Sequence, residues 1–169
     1  MRILVFLHGT SIMHAAGLGL GLGREERVRQ SRERETSVLD FASLDFASYV
    51  PTDRAVEKLN SWARHGAQIE YLSSHRTRED VAIDEQVLAS HGFPIGPVHW
   101  RADAESYEEI VRRVGPDLVV EDDCESIGGA GQTVASKLGG EQGAVPCCIV
   151  PEFGGLGHLP NDPADLVRF

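Results

Sequence analysis

Three short apolar runs that each break off at a cluster of polar residues constrain the fold of this chain more than any other feature. Arg2-Ile3-Leu4-Val5-Phe6-Leu7 runs into His8-Gly9-Thr10, Ile69-Glu70-Tyr71-Leu72 into Ser73-Ser74-His75-Arg76, and Asp117-Leu118-Val119-Val120 into Glu121-Asp122-Asp123. Runs of this kind read as strands buried on both faces, the mark of a parallel sheet. Neighbouring strands of an open parallel sheet present their C-terminal ends to one crevice, where side chains and backbone amides converge on a ligand. The residues that end the runs are therefore the candidate site, provided that the three strands are neighbours.

The segments between the runs carry helical signals. Thr52 precedes Val56, Leu59 and Trp62 at near-helical spacing, and His65-Gly66 supplies a glycine stop. Thr77 with Asp80 resembles a capping box for a helix through Val81, Val87 and Leu88 that closes at His91-Gly92. Pro97 to Trp100 reads as a short extended piece. Asp103 is placed to cap a helix carrying Tyr107, Ile110, Val111 and Val114, ended by Gly115-Pro116. A further helix over Ser126 to Leu138 and a strand over Pro146 to Val150 complete the pattern. Strands alternating with helices imply an α/β architecture: a parallel sheet of about five strands with helices on both faces.

One segment breaks the alternation. From about residue 11 to residue 50 the chain reads as an insertion, a cap or flap over the crevice, within a single domain spanning 1–169. Alternating glycines at Gly17, Gly19, Gly21 and Gly23 suit a mobile loop, and their spacing matches neither the dinucleotide fingerprint nor a phosphate loop ending in Lys-Ser/Thr. Arg24 to Glu35 mixes arginine with glutamate and suits an exposed helix with i,i+4 pairs. The five-residue echo of Asp40-Phe41-Ala42-Ser43 in Asp45-Phe46-Ala47-Ser48 is too short for a solenoid repeat.

Composition narrows the partners. With 169 residues, 41% of them hydrophobic, the chain fills one core without disulfide support. A formal charge of −10 repels a phosphate backbone over most of the surface, so nucleic acid is not an expected partner, and an anionic ligand needs a local cationic or amide pocket. The apolar run after Met1-Arg2 is too short for a signal-peptide core and no stretch reaches membrane-spanning length, so no membrane association and a cytoplasmic location are expected. Cys124, Cys147 and Cys148 are odd in number, the last two adjacent on a strand, which argues against a disulfide framework.

The three strand ends resemble those of the haloacid dehalogenase-like (HAD-like) phosphohydrolases. The resemblance lies in Phe6-Leu7-His8-Gly9-Thr10, in the Leu72-Ser73-Ser74 ending, and in Val119-Val120-Glu121-Asp122-Asp123-Cys124-Glu125-Ser126-Ile127-Gly128-Gly129. It implies a three-layer Rossmannoid fold with family strand order 5-4-1-2-3, phosphate contacts from Gly9, Thr10, Ser73 or Ser74, with Arg76 and Arg101 as cations, and Mg²⁺ held by Asp122 and Asp123. Arg101 is preferred over Lys137 as the family's third-motif cation. The family's first motif carries two aspartates, one attacking phosphorus and one protonating the leaving group. Here those places are Phe6 and His8, and phenylalanine offers neither a nucleophilic atom nor a metal ligand.

Each candidate carries two readings. His8 replaces the missing acid, or serves as a ligand that shifts preference towards Mn²⁺ or Zn²⁺, or is a hydrogen-bonded histidine at the rim of the core. Asp122 and Asp123 hold a cation, or cap the following helix at Ser126 and face solvent; two carboxylates about 4 Å apart repel by roughly 4 kcal/mol at an effective dielectric of about 20, which a cation or shared proton relieves. Ser73, Ser74 and Arg76 recognise an anion, or the serines cap a helix. A Ser73–His8–Asp122 relay has no nucleophile-elbow motif behind it. The expected function is that of a divergent phosphohydrolase-type protein binding a small phosphorylated molecule, with any ester hydrolysis assisted by metal. The alternative is a catalytically inactive HAD-fold binding or protein-interaction module.

Overall fold

The computed structural model describes residues 1–15, 25–26, 28–29, 32, 45–102, 105–139 and 145–168. Seven strands occur in it: β1 Arg2–Phe6, β2 Ile12–His14, β3 Tyr49–Pro51, β4 Gln68–Leu72, β5 Val98–His99, β6 Leu118–Asp122 and β7 Cys147–Val150. The α-helices between them are α1 Ala55–Arg64, α2 Arg78–Ser90, α3 Tyr107–Val114 and α4 Val134–Leu138. Five strands form one parallel sheet in the order β5-β4-β1-β6-β7. β1 lies at the centre with β4 on one side and β6 on the other, so the three polar strand ends are neighbours.

Alternation along each strand divides the core into two layers. Ile3 and Val5 of β1, Ile69 and Tyr71 of β4 and Leu118 and Val120 of β6 pack with Leu59 and Trp62 of α1 and Val87 and Leu88 of α2. Leu4, Leu72 and Val119 face the other way, against Ile110 and Val111 of α3 and Val134 and Leu138 of α4. The result is a three-layer α/β sandwich. Trp62 is fully buried and its indole Nε1 donates to the Pro160 carbonyl at 2.9 Å, tying the C-terminal segment to α1.

Helix boundaries follow the caps, with three departures from the sequence signals. Thr77 accepts the Asp80 amide at the start of α2, and α2 ends at His91 with Gly92 at φ 73°. Thr52 does not cap α1: the residue before α1 is Arg54 at φ 50°, and the Thr52 hydroxyl instead donates to the Thr10 carbonyl at 2.8 Å. The cap of α3 is Ser106, in a reciprocal box with Glu109, while Asp103 lies outside the described residues. The helix expected over Ser126–Leu138 is two 3-10 turns, Glu125–Ile127 and Gly129–Gln132, followed by the short α4. Gly128 at φ 129° and Gly129 at φ 78° turn the chain where a continuous helix would need αR geometry.

Between β1 and α1, β2 pairs antiparallel with β3 as a separate two-stranded sheet. The glycine-rich stretch 17–23 and the first copy of the Asp-Phe-Ala-Ser echo lie outside the described residues. The second copy forms the 3-10 turn Phe46–Ser48. Within 24–35, residues 25, 26, 28, 29 and 32 are helical, and Glu26 pairs with Arg29. Among the described residues no helix is long and apolar enough to cross a membrane.

Candidate functional site

The C-terminal ends of β1 and β4 meet around a buried aspartate that the sequence motifs do not mark. Asp84 sits in the middle of α2 with no exposed surface. Its Oδ2 accepts the Ser73 hydroxyl at 2.6 Å and lies 3.1 Å from His75 Nδ1, while its Oδ1 lies 3.3 Å from His8 Nε2. Burial alone would raise the Asp84 pKa, but the contacts with His75, His8 and Ser73 hold it well below the usual carboxylate range. Burial likewise pulls His75 down, and the hydrogen bond and charge of Asp84, helped by Asp80, override it and raise the imidazole pKa. His8 Nδ1 lies 2.8 Å from the Ser74 hydroxyl at the mouth of the crevice. Tyr49, from the small β2–β3 sheet, stands edge-on to the His8 ring at 4.9 Å, so the segment between β1 and α1 walls this cluster.

The two adjacent serines thus divide their work. Ser73 is fully buried, donating to Asp84 and accepting the His75 amide at 3.0 Å. Ser74 is exposed and turned towards His8. The Ser73–His8–Asp122 relay weighed from the sequence is therefore not the arrangement that forms, because the partners of His8 are Ser74 and Asp84. His75 and Asp84 were missed by the sequence reading. The buried acidic position in an otherwise amphipathic helix was the one available signal for Asp84, a charged residue that stays inside only when paired.

On the other side of β1 the polar residues are occupied with scaffolding. Gly9 has φ 86°, and a Cβ there would stand 3.0 Å from Asp122 Oδ1; its amide donates to the Ile12 carbonyl and its carbonyl accepts the Phe153 amide. Thr10 is fully buried and its hydroxyl donates to Asp122 Oδ1 at 2.6 Å. The Cys124 amide donates to Asp122 Oδ2 at 3.1 Å. Asp123 Oδ1 accepts the Glu152 amide, and Glu152 accepts both the amide and the hydroxyl of Ser126. Glu121, not the aspartates, caps the helix that follows, accepting the amides of Val134 and Ala135. Burial pushes Glu121 up to about 7 against the lowering effect of those amides, and it also raises Asp122 and Glu152. The Cys124 thiol is pushed up to about 12 by burial and the surrounding carboxylates, which leaves it a poor nucleophile.

Among the described residues, two groups of side chains are close enough to take up a divalent cation: His8 with His75 and Asp84, and Asp122 with Asp123 and Glu152. The magnesium donor set implied by the sequence resemblance needs a first-strand carboxylate. Phe6 supplies none. Its ring stands edge-on to Tyr107 at 5.3 Å, and Arg101 lies over the other partner of that contact, its guanidinium carbon 4.1 Å from the Tyr107 ring centre. The Nε of Arg101 is buried without a hydrogen-bond partner. Arg76 is exposed and close enough for its charge to act on the same phenol, where burial raises the pKa and Arg101 and Arg76 oppose it. Lys137 pairs with Glu108 at 3.3 Å. Of the sequence-derived residues, His8 and Ser74 gather at the crevice mouth and Arg101 lies over Tyr107, whereas Gly9, Thr10 and Ser73 are turned inward.

The strand order, the three layers and the β1-centred crevice define a HAD-like α/β fold. No protein-family model and no curated protein sequence matches the chain. Solved structures do. A class C acid phosphatase from Bacillus anthracis with tungstate bound, a HAD-superfamily enzyme, superposes with a TM-score of 0.57 at 14% identity, covering 99% of this chain and 77% of that one. A chain from the Pnkp1/Rnl/Hen1 complex superposes at 0.57 and 12% identity over 89% of this chain and 46% of that one. One from the Pnkp1/Rnl/Hen1 RNA repair complex gives 0.52 and 13%, over 89% and 42%. The chain therefore spans less than half the length of these last two, and at such identities the likeness defines the fold alone.

Proposed function

We propose that this chain binds a small phosphorylated molecule at the C-terminal ends of β1 and β4 and acts as a divergent phosphoesterase. The observation that carries the reading is the meeting of Ser74 and His8 at 2.8 Å at the mouth of the crevice. Arg101, over the Tyr107 ring, and Arg76, whose charge acts on the same phenol, supply the cationic flank, and the orphaned Nε of Arg101 is a donor that an anion would satisfy. Phe6 rules out an enzyme ester at the family's nucleophile position, so hydrolysis would proceed by attack of water. The segment 11–50 is read as a cap belonging to the same domain, with Tyr49 its contribution to the site. That the similar structures include a phosphatase and an RNA repair complex supports a phosphoester ligand.

A second reading, an inactive binding module, is favoured by one observation: Phe6 fills the nucleophile's place by packing on Tyr107. A panel of phosphate monoesters assayed with Mg²⁺, Mn²⁺ or Zn²⁺ separates the two. Turnover lost in His8→Ala and weakened in Arg101→Ala supports the phosphoesterase. Binding of inorganic phosphate without turnover of any ester supports the module, and neither binding nor turnover overturns both.

A further inference from the structure

We propose that His8, His75 and Asp84 form a binding site for a first-row transition-metal dication such as Zn²⁺, displaced by one strand from the acidic cluster at β6. The site rests on the geometry of the cluster and stands apart from the phosphoesterase reading. Its three residues come from three elements: His8 follows β1, His75 follows β4, and Asp84 projects from α2. Their ligating atoms all lie within 4.8 Å of one another. A tetrahedral zinc with metal–nitrogen bonds of about 2.0–2.1 Å has ligand-to-ligand edges of about 3.3 Å. His8 Nε2 lies 3.3 Å from Asp84 Oδ1 and His75 Nδ1 lies 3.1 Å from Asp84 Oδ2, so each imidazole stands at such an edge length from one oxygen of the shared carboxylate.

The contact between His8 and Asp84 distinguishes a cation from a proton relay. Nε2 and Oδ1 are both buried and face each other at 3.3 Å, yet they are not aligned as a hydrogen bond and neither has another partner. A relay needs that bond made; a cation between the two atoms satisfies both. The outer contacts are those a metal site uses to fix its ligands. Ser74 Oγ, 2.8 Å from His8 Nδ1, orients the imidazole with Nε2 inward, and Ser73 Oγ holds Asp84 from its other oxygen at 2.6 Å. Two imidazoles and one carboxylate prefer borderline metals over Mg²⁺ or Ca²⁺, which favour all-oxygen shells. With two neutral imidazoles and one carboxylate such a centre would carry net positive charge and keep a fourth position free of protein ligands, which suits an anionic ligand. In this arrangement His8 Nε2 is a ligand and no longer exchanges a proton.

The test is titration of the metal-free protein with Zn²⁺, and with Co²⁺ as a spectroscopic probe. Saturable zinc binding, an intense visible Co²⁺ spectrum of low coordination number, and no competition by a large excess of Mg²⁺ are expected. His8→Ala and His75→Ala should each weaken zinc by more than the roughly 10–100-fold that losing an outer contact costs, with Ser74→Ala inside that range. The Co²⁺ spectrum of the unaltered protein decides the matter if a variant fails to fold. Absence of zinc binding overturns the proposal, as does binding abolished by Asp122→Asn but kept in His8→Ala. Zinc binding without phosphate binding leaves the site standing and removes the phosphoesterase reading; phosphate turnover without zinc binding does the reverse.

Discussion

Replacing Asp84 with asparagine should lower stability by about 3 kcal/mol in acid and by much less in alkali. The substitution keeps the shape and an acceptor for the Ser73 hydroxyl, and removes a fully buried negative charge that faces two imidazoles. A hydrogen bond to a charged group contributes about 1.5–3 kcal/mol, and breaking a buried ion pair costs about 3–5 kcal/mol. The low end applies here because the contact between His8 Nε2 and Asp84 Oδ1 is not aligned as a hydrogen bond. The pH window follows from the two shifts. His75 has a raised pKa in the folded protein, so its contribution is complete below the unfolded value of 6.5 and is lost as pH rises through the raised one. Asp84 is depressed, so its contribution is present above about 3.9 and is lost as pH falls through its folded value. The difference between wild type and Asp84→Asn is therefore largest between about pH 4 and 6.5. For a chain of 169 residues, about 3 kcal/mol corresponds to a Tm decrease of about 6–12 °C. Thermal unfolding of both proteins at pH 5.5 and pH 9, in the presence of a chelator, measures it. Equal losses of Tm at the two pH values, or a loss under about 1 kcal/mol at pH 5.5, would refute the account of Asp84 as the charged hub of the cluster.

Glu121, raised from 4.5 to about 7, has a sign opposite to that of Asp84: its protonated form is favoured in the folded state, so about 3 kcal/mol of stability is lost as pH rises from 4.5 through 7. Glu121→Gln should flatten that slope in denaturant titrations at pH 5 and 8, and parallel slopes in the two proteins would contradict the assignment. Thr10→Val removes the buried donor to Asp122 Oδ1 and should cost about 1–3 kcal/mol, which Thr10→Ser restores; a Val variant as stable as wild type would show the bond to be idle. Phe6→Asp gives up the edge-on contact with Tyr107, at a cost of about 0.5–1.5 kcal/mol, and supplies the carboxylate that the acidic cluster lacks. Magnesium should then raise the Tm of this variant by several degrees and leave wild type unmoved. A variant indifferent to magnesium would mean that the β1–β6 side has been rebuilt beyond one residue.

The sheet was legible because burial on both faces writes itself into sequence as unbroken apolar runs, and because glycine stops such as Gly66, Gly92 and Gly115 mark helix ends whatever surrounds them. All three have positive φ. Local chemistry was less legible where two residues competed for one role. Ser106 took the cap of α3 because Glu109 stands three residues on to complete a reciprocal box, a pairing that Asp103 was not needed for. Glu121 took the amides of α4 because β6 runs two residues further than its apolar run suggests, carrying the carboxylate to the helix start. The His8–His75–Asp84 cluster could not be read from spacing at all. Its members are separated by 67 and 9 positions and are joined only by strand order and the angle at which α2 leaves β4.

Phe6 does more than delete a nucleophile. Its ring supports Tyr107, and Tyr107 supports Arg101, so the position where the resemblance expects an attacking carboxylate instead builds part of a cationic wall. With phenylalanine at that position, Asp122 accepts the Thr10 hydroxyl and the Cys124 amide, and Asp123 accepts the Glu152 amide. Among the described residues, the buried polar atoms without a hydrogen bond include His8 Nε2 and Asp84 Oδ1, on the opposite side between β1 and β4. Buried groups left without hydrogen bonds cost free energy unless a ligand engages them. On the metal site proposed above, the place for a ligand lies one strand away from the oxygen-rich side suited to magnesium, on a nitrogen-containing side suited to a softer metal.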